Sequence, residues 1–76
     1  MARPKTKEMT LAQRVAYHIR RLRKKNNLLV VEAAMGAGIS ISHWYKLENP
    51  DYSFGTFKTL EKVADFFEVD PGELFR

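Results

Sequence analysis

An all-α chain of about five helices follows from two apolar stripes of helical period, small-residue turns between helical runs, and the lack of any alternating segment. The first helix begins at Thr10. Leu11, Val15, Ile19 and Leu22 fall at spacings of four, four and three, which stacks them on one face. Thr10 caps this helix, Gln13 three residues later completes a capping box, and Asn26 and Asn27 are good stop residues. In "LLVVEAAMGA" the valines favour strand, whereas Ala33, Ala34 and Met35 favour helix. A lone strand would have no pairing partner, so residues 29–37 read as a short helix ending at Gly38. Ser40 then caps a third helix, "ISHWYKLEN", stopped by Pro50. After the turn-rich "DYSFG", Thr56 caps a fourth helix in which Phe57, Leu60, Val63, Ala64 and Phe67 keep the 3.6 period. Finally, "VDPGELF" reads as a short fifth helix, with Asp70 as cap, Pro71 at its first position, and Leu74 and Phe75 folding back to the core.

A chain of 76 residues is expected to form one domain with a modest core, here over residues 10–76, preceded by a flexible basic arm over residues 1–9. There is no cysteine, and His18 and His43 lack metal-ligand spacing, so tight helix packing or self-association must supply stability. No apolar run approaches the roughly 20 residues that span a bilayer, and the amino-terminal stretch lacks the apolar centre of a signal peptide. A cytoplasmic protein with no membrane partner is the expectation. Nor does the sequence hold a cysteine nucleophile, a paired histidine and carboxylate, a glycine-rich phosphate loop or a metal set. No enzyme, no cofactor and no small-molecule substrate are therefore expected.

Charge is unevenly spread. The net charge is +4 and the sequence pI about 9.6. Residues 1–25 hold nine Lys or Arg against Glu8, giving +8, while residues 26–76 hold four against eight acids, giving −4. Such an asymmetry points to a polyanion met on one side.

The middle of the chain meets the steric demands of a helix-turn-helix one after another. Two helices that cross steeply need a small residue where they touch, and Ala34 supplies it. Four residues later Gly38 permits the positive φ of the turn. Ile39 plugs the corner, and Trp44 and Leu47, three apart, form the buried side of the second helix.

These residues, with "IRRLRKKNNL" before them and "TFKTLEKVADFFEVDPGELF" after, resemble the phage repressor/Cro-like (XRE) helix-turn-helix family over nearly the whole chain beyond the arm. The resemblance implies a compact five-helix, lambda-repressor-like bundle and a sequence-specific DNA-binding transcriptional regulator, a repressor acting as a homodimer on an inverted repeat. It also implies an ion pair between Arg23 and Glu48, at the positions of the family's first-helix Arg and the Glu ending its recognition helix. Two departures stand out. Leu29 and Val30 occupy the places where the family has Ser or Thr followed by a phosphate-anchoring Gln. Ala33 and Ala37 replace larger apolar residues, a volume that Trp44 is expected to fill.

At 100° per residue, Trp44 and Leu47 point inward and Ile41, Ser42, Tyr45, Lys46 and Asn49 outward. The resemblance places base contacts at Ser40, Ile41, Ser42 and Lys46. Chemically, Ile41 suits a thymine methyl, Ser42 donates and accepts, and Lys46 suits guanine acceptors or a phosphate. His43, Tyr45 and Asn49 are candidate backbone contacts, joined by Arg3 and Lys5 of the arm, by Arg20, Arg21 and Lys24 of the first helix, and by Lys58. A dimer interface is expected at Phe66, Phe67, Val69, Leu74 and Phe75. The competing expectation is a helical protein–protein module of the same fold that lacks specific DNA binding, favoured by the missing Gln.

Overall fold

A computed structural model describes residues 10–52 and 55–76. Four α-helices run in order: α1 (Leu11–Lys25), α2 (Val30–Ala37), α3 (Ile41–Leu47) and α4 (Phe57–Phe67). A 3-10 helix, Pro71–Phe75, follows them. The expected count of five α-helices is thus corrected to four, since the fifth element is 3-10. Its five residues include Pro71 and Gly72, and its bonding spans three residues, as in Glu73 N–H to the Asp70 carbonyl at 2.8 Å. So short a segment, with a prolyl nitrogen and a glycine in its first turn, adds few i→i−4 bonds. The basic arm expected at residues 1–9 lies outside the described residues.

Local chemistry sets the helix limits. Thr10 Oγ1 accepts the Gln13 N–H at 3.1 Å while Gln13 Oε1 accepts the Thr10 N–H at 2.8 Å, a reciprocal capping box. Ser40 and Thr56 cap α3 and α4 in the same sense, accepting from His43 and Thr59. Three of the helices stop by one device. Asn27, Gly38 and Glu68 take left-handed φ values of 57°, 74° and 58°. The next residue in each case donates back five positions, Leu28 to Arg23, Ile39 to Ala34 and Val69 to Ala64, at 3.1, 2.9 and 3.0 Å. Leu28, Ile39 and Val69 all pack against the core, so each closure also seals an edge of it.

Each helix lends one to three side chains to the core. Val15 and Ile19 come from α1, Ala33 and Ala34 from α2, Trp44 and Leu47 from α3, Leu60, Val63 and Ala64 from α4, and Leu74 from the 3-10 helix. Trp44 is the largest fully buried side chain, and its ring meets Phe67 edge-on at 6.2 Å. Ala33 is wholly buried in the same cluster, and Ala37 is half buried against it. The ends of the two apolar stripes overhang the core: Leu11 is 44% and Phe57 64% exposed.

Candidate nucleic-acid interface

The α2–turn–α3 hairpin is built on backbone permission at two glycines. Gly38 bears the positive φ of the turn and has open space around it. Gly36 answers a different need, because a Cβ there would drive into the Phe66 ring, with Cζ only 2.8 Å away. Together with Ala33 and Ala34, this makes the α2 surface thin enough for α4 and α3 to approach. Gly36 was not singled out in the sequence, although the run "AAMGAG" carried the signal.

The carboxyl end of α3 is fastened to α1. Glu48 caps α3, and its carboxylate takes Arg23 in a fork, Nε to Oε2 at 2.5 Å and Nη2 to Oε1 at 3.0 Å. The indole Nε1 of Trp44, one turn earlier on α3, donates to the same Oε2 at 2.7 Å. Arg23 Nη1 donates to the Leu28 carbonyl at 3.0 Å, tying in the α1–α2 connection. With the two charged side chains only 15% and 11% exposed, this is a desolvated network whose polar groups are satisfied. The hydrogen bonds that Arg23 donates to Glu48 hold its guanidinium above its ordinary pKa against the lowering effect of partial burial, so it stays charged wherever the fold survives. A raised basic pKa stabilises the fold below its unfolded value, hence this contribution is constant across the neutral range.

The outward side of α3 is open. Ile41 is 43% and Tyr45 60% exposed, and Ser42 and Lys46, one turn apart, are exposed as well. Ser40 is exposed but has a structural task, since its hydroxyl accepts the His43 N–H at 3.1 Å. His43 is half buried, its ring on the side of Gly55 where an added Cβ would meet Nε2 at 3.5 Å. Asn49 is half buried too: its Oδ1 accepts the Asp51 N–H at 2.9 Å, and its carbonyl accepts the Tyr52 N–H at 3.1 Å. That pattern, with Pro50 second in the turn, fixes the chain as it leaves α3. Tyr52, within the turn-rich "DYSFG" stretch, is brought back to α3, and Lys46 Nζ stands over its ring at 5.9 Å.

Arg20, Arg21, Lys24 and Lys58 are exposed, while Arg3 and Lys5 lie outside the described residues. The amino end of α2 carries an acid instead of a phosphate anchor. Glu32 Oε1 accepts the Leu29 N–H at 2.8 Å, which occupies that amide and sets a negative charge beside it. Leu29, at 65% exposure, and Met35, at 74%, give α2 an apolar flank, with Val31 at 39%. The five residues expected at a dimer interface all pack onto the core of one chain. Leu74 is fully buried and has no surface to offer, Phe66 and Phe67 meet each other at 5.1 Å, and Phe75 meets Phe57 at 5.8 Å.

Among the described residues no group of three or more His, Cys, Asp or Glu is placed to hold a metal ion, and no helix is long and apolar enough to cross a membrane. Neither curated proteins nor solved structures give a match to the chain. A family model described as a helix-turn-helix domain matches residues 16–76. That span runs from within α1 to the 3-10 helix and takes in the turn at Gly38, the Arg23–Glu48–Trp44 network and the open face of α3: the chain belongs to the helix-turn-helix domain family.

Proposed function

We propose that the protein is a sequence-specific DNA-binding transcriptional regulator that lays α3 in the major groove. The observation that carries this is the division of charge on α3. Its exposed face holds Ile41, Ser42, Tyr45 and Lys46, while its acid, Glu48, is turned inward and neutralised by Arg23. A helix so arranged meets phosphates without repulsion and base edges with a methyl contact, a hydroxyl and an ammonium. Lys46, Ser42, Ile41 and the hydroxyl of Ser40 contact bases. Arg20, Arg21, Lys24, Tyr45 and Lys58 hold the backbone, with Arg3 and Lys5 reaching along the duplex. His43 and Asn49 act through the fold more than through DNA, given what their polar or ring atoms already meet.

One short helix reads few base pairs, so two copies on an inverted repeat are the fitting assembly. The aromatic pair of Phe57 and Phe75, whose rings meet at 5.8 Å, is the proposed contact, since Phe57 remains 64% exposed. Repression is the simplest outcome, because an occupied operator blocks transcription without any further contact.

Selection of duplexes from a random pool tests the reading: recovery of a symmetric site with half-sites about 10 bp apart is expected. Affinity for that site falls steeply with salt, log K declining by roughly 0.9 per neutralised phosphate. On the selected site, Lys46→Ala and Ser42→Ala weaken binding by about tenfold each while leaving random duplex nearly unchanged. Equal losses on both duplexes would end the base-contact assignment. A second reading, a protein–protein module, is favoured by the apolar flank of α2 and by Glu32 at its amino end. It predicts no duplex binding for salt to remove.

A further inference from the structure

The reading of α3 as the base-contacting helix leaves open what aims a flexible lysine. An unrestrained lysine has four torsions and a strongly hydrated ammonium, and in a groove it finds phosphates as readily as guanine edges. Here Lys46 Nζ stands 5.9 Å from the centroid of the Tyr52 ring, within the range where a ring face attracts a cation. Tyr52 is itself held by a built turn. Its N–H donates to the Asn49 carbonyl, Asn49 Oδ1 takes the Asp51 N–H, and Pro50 fixes φ between them. The ring therefore returns to α3 because the backbone directs it there, and its 51% exposure leaves it at the mouth of the face, not in the core.

We propose that Tyr52 is a specificity-determining positioning residue: its ring face holds the Lys46 ammonium in line with one base pair and keeps it from the phosphates. The proposal rests on the DNA-reading role of α3, and it assigns the work to the π face and not to the phenol hydroxyl. Tyr52→Phe keeps that face, whereas Tyr52→Leu and Tyr52→Ile remove it at similar bulk.

Binding is measured on the selected duplex and on duplexes altered at each base pair of the half-site. Tyr52→Phe retains wild-type discrimination. With either aliphatic variant, discrimination at one base pair falls about two- to fivefold, as expected for an exposed cation–π contact, while affinity for random duplex holds or rises. The same base pair loses its preference in Lys46→Ala, and adding Tyr52→Leu to Lys46→Ala changes it no further. In the free protein, the Lys46 ε-methylene protons are shifted upfield by the ring, in wild type and Tyr52→Phe but not in Tyr52→Leu. Weaker binding of the aliphatic variants on every duplex alike overturns the proposal, as does a Tyr52→Phe variant that behaves like Tyr52→Leu, which would mark a phosphate contact by the hydroxyl. A wild-type protein that discriminates while Tyr52→Leu discriminates equally removes only the role of Tyr52. A wild-type protein that selects no duplex removes the reading of α3 as well.

Discussion

At the amino end of α2 the N–H of Leu29 is closed by a carboxylate, Glu32, whereas at the amino end of α3 the N–H of His43 is closed by a neutral hydroxyl, Ser40. Both satisfy orphan amides and both are favourable to helix formation. They differ in what they permit next to them. A phosphate approaching α2 meets a negative charge, and one approaching α3 does not. The flanks agree with the caps, since α2 exposes Leu29, Val31 and Met35 while α3 exposes Ser42 and Lys46. Two helices joined by a three-residue connection thus differ in what they can meet: under the proposed function α3 faces the polyanion, and α2 supports it from behind.

The carboxyl ends of the same helices sharpen the comparison, because one is latched to α1 and the other only turned. Glu48→Ala unpairs Arg23 and strips the indole N–H of its acceptor, a loss of about 3 kcal/mol for so enclosed a network. For a chain of this size that is a Tm lowered by roughly 15 °C, read by thermal unfolding. A double change, Arg23→Met with Glu48→Met, recovers part of it if the cost is an abandoned charge. At the other end, Gly38→Ala meets no neighbour, so its cost is the left-handed backbone alone, about 1 kcal/mol. A Gly38→Ala variant as damaged as Glu48→Ala would mean that the turn, and not the latch, fixes α3. The smallest effect belongs to Glu32→Gln, which keeps an acceptor for Leu29 but removes the charge. It costs about 0.5 kcal/mol of helix stability and raises duplex affinity about threefold at low salt, the gain fading as salt screens it. Unchanged affinity at low salt would show that phosphates do not pass the amino end of α2.

How much of this was legible in the sequence depended on distance along the chain. Caps and stops need only three to six neighbouring residues, so Thr10, Gln13, Ser40, Thr56 and Asp70 could be read directly, and the structure puts each in a capping bond. The third helix kept its start and buried side but ends at Leu47 with Glu48 as its cap, because the chain then enters the Asn49–Tyr52 turn through Pro50. The Arg23–Glu48 contact spans 25 positions and entered only through a family resemblance; nothing local to either residue encodes it. By contrast, the Trp44 bond to Glu48 has an i, i+4 spacing that a helix makes contiguous, and it went unread. For the aromatic end, periodicity told which residues are apolar but not how many of them α1 and the 3-10 helix would cover. Leu74 proved wholly interior and Phe57 largely exposed, because the 3-10 helix lays its chain across α1. Lys46 and Tyr52 were out of reach for a further reason: their meeting depends on the path of a proline turn, which composition marks without directing.

The network at the end of α3 also furnishes an optical signal. Trp44 is the chain's single tryptophan, fully buried, with its N–H on a carboxylate that also holds Arg23. Its emission therefore responds to the fastening of α3 as well as to the core packed around the indole, Phe67 included. Release of the latch would shift that emission to longer wavelength before the helices themselves were lost, so one unmodified chromophore separates loosening of α3 from global unfolding.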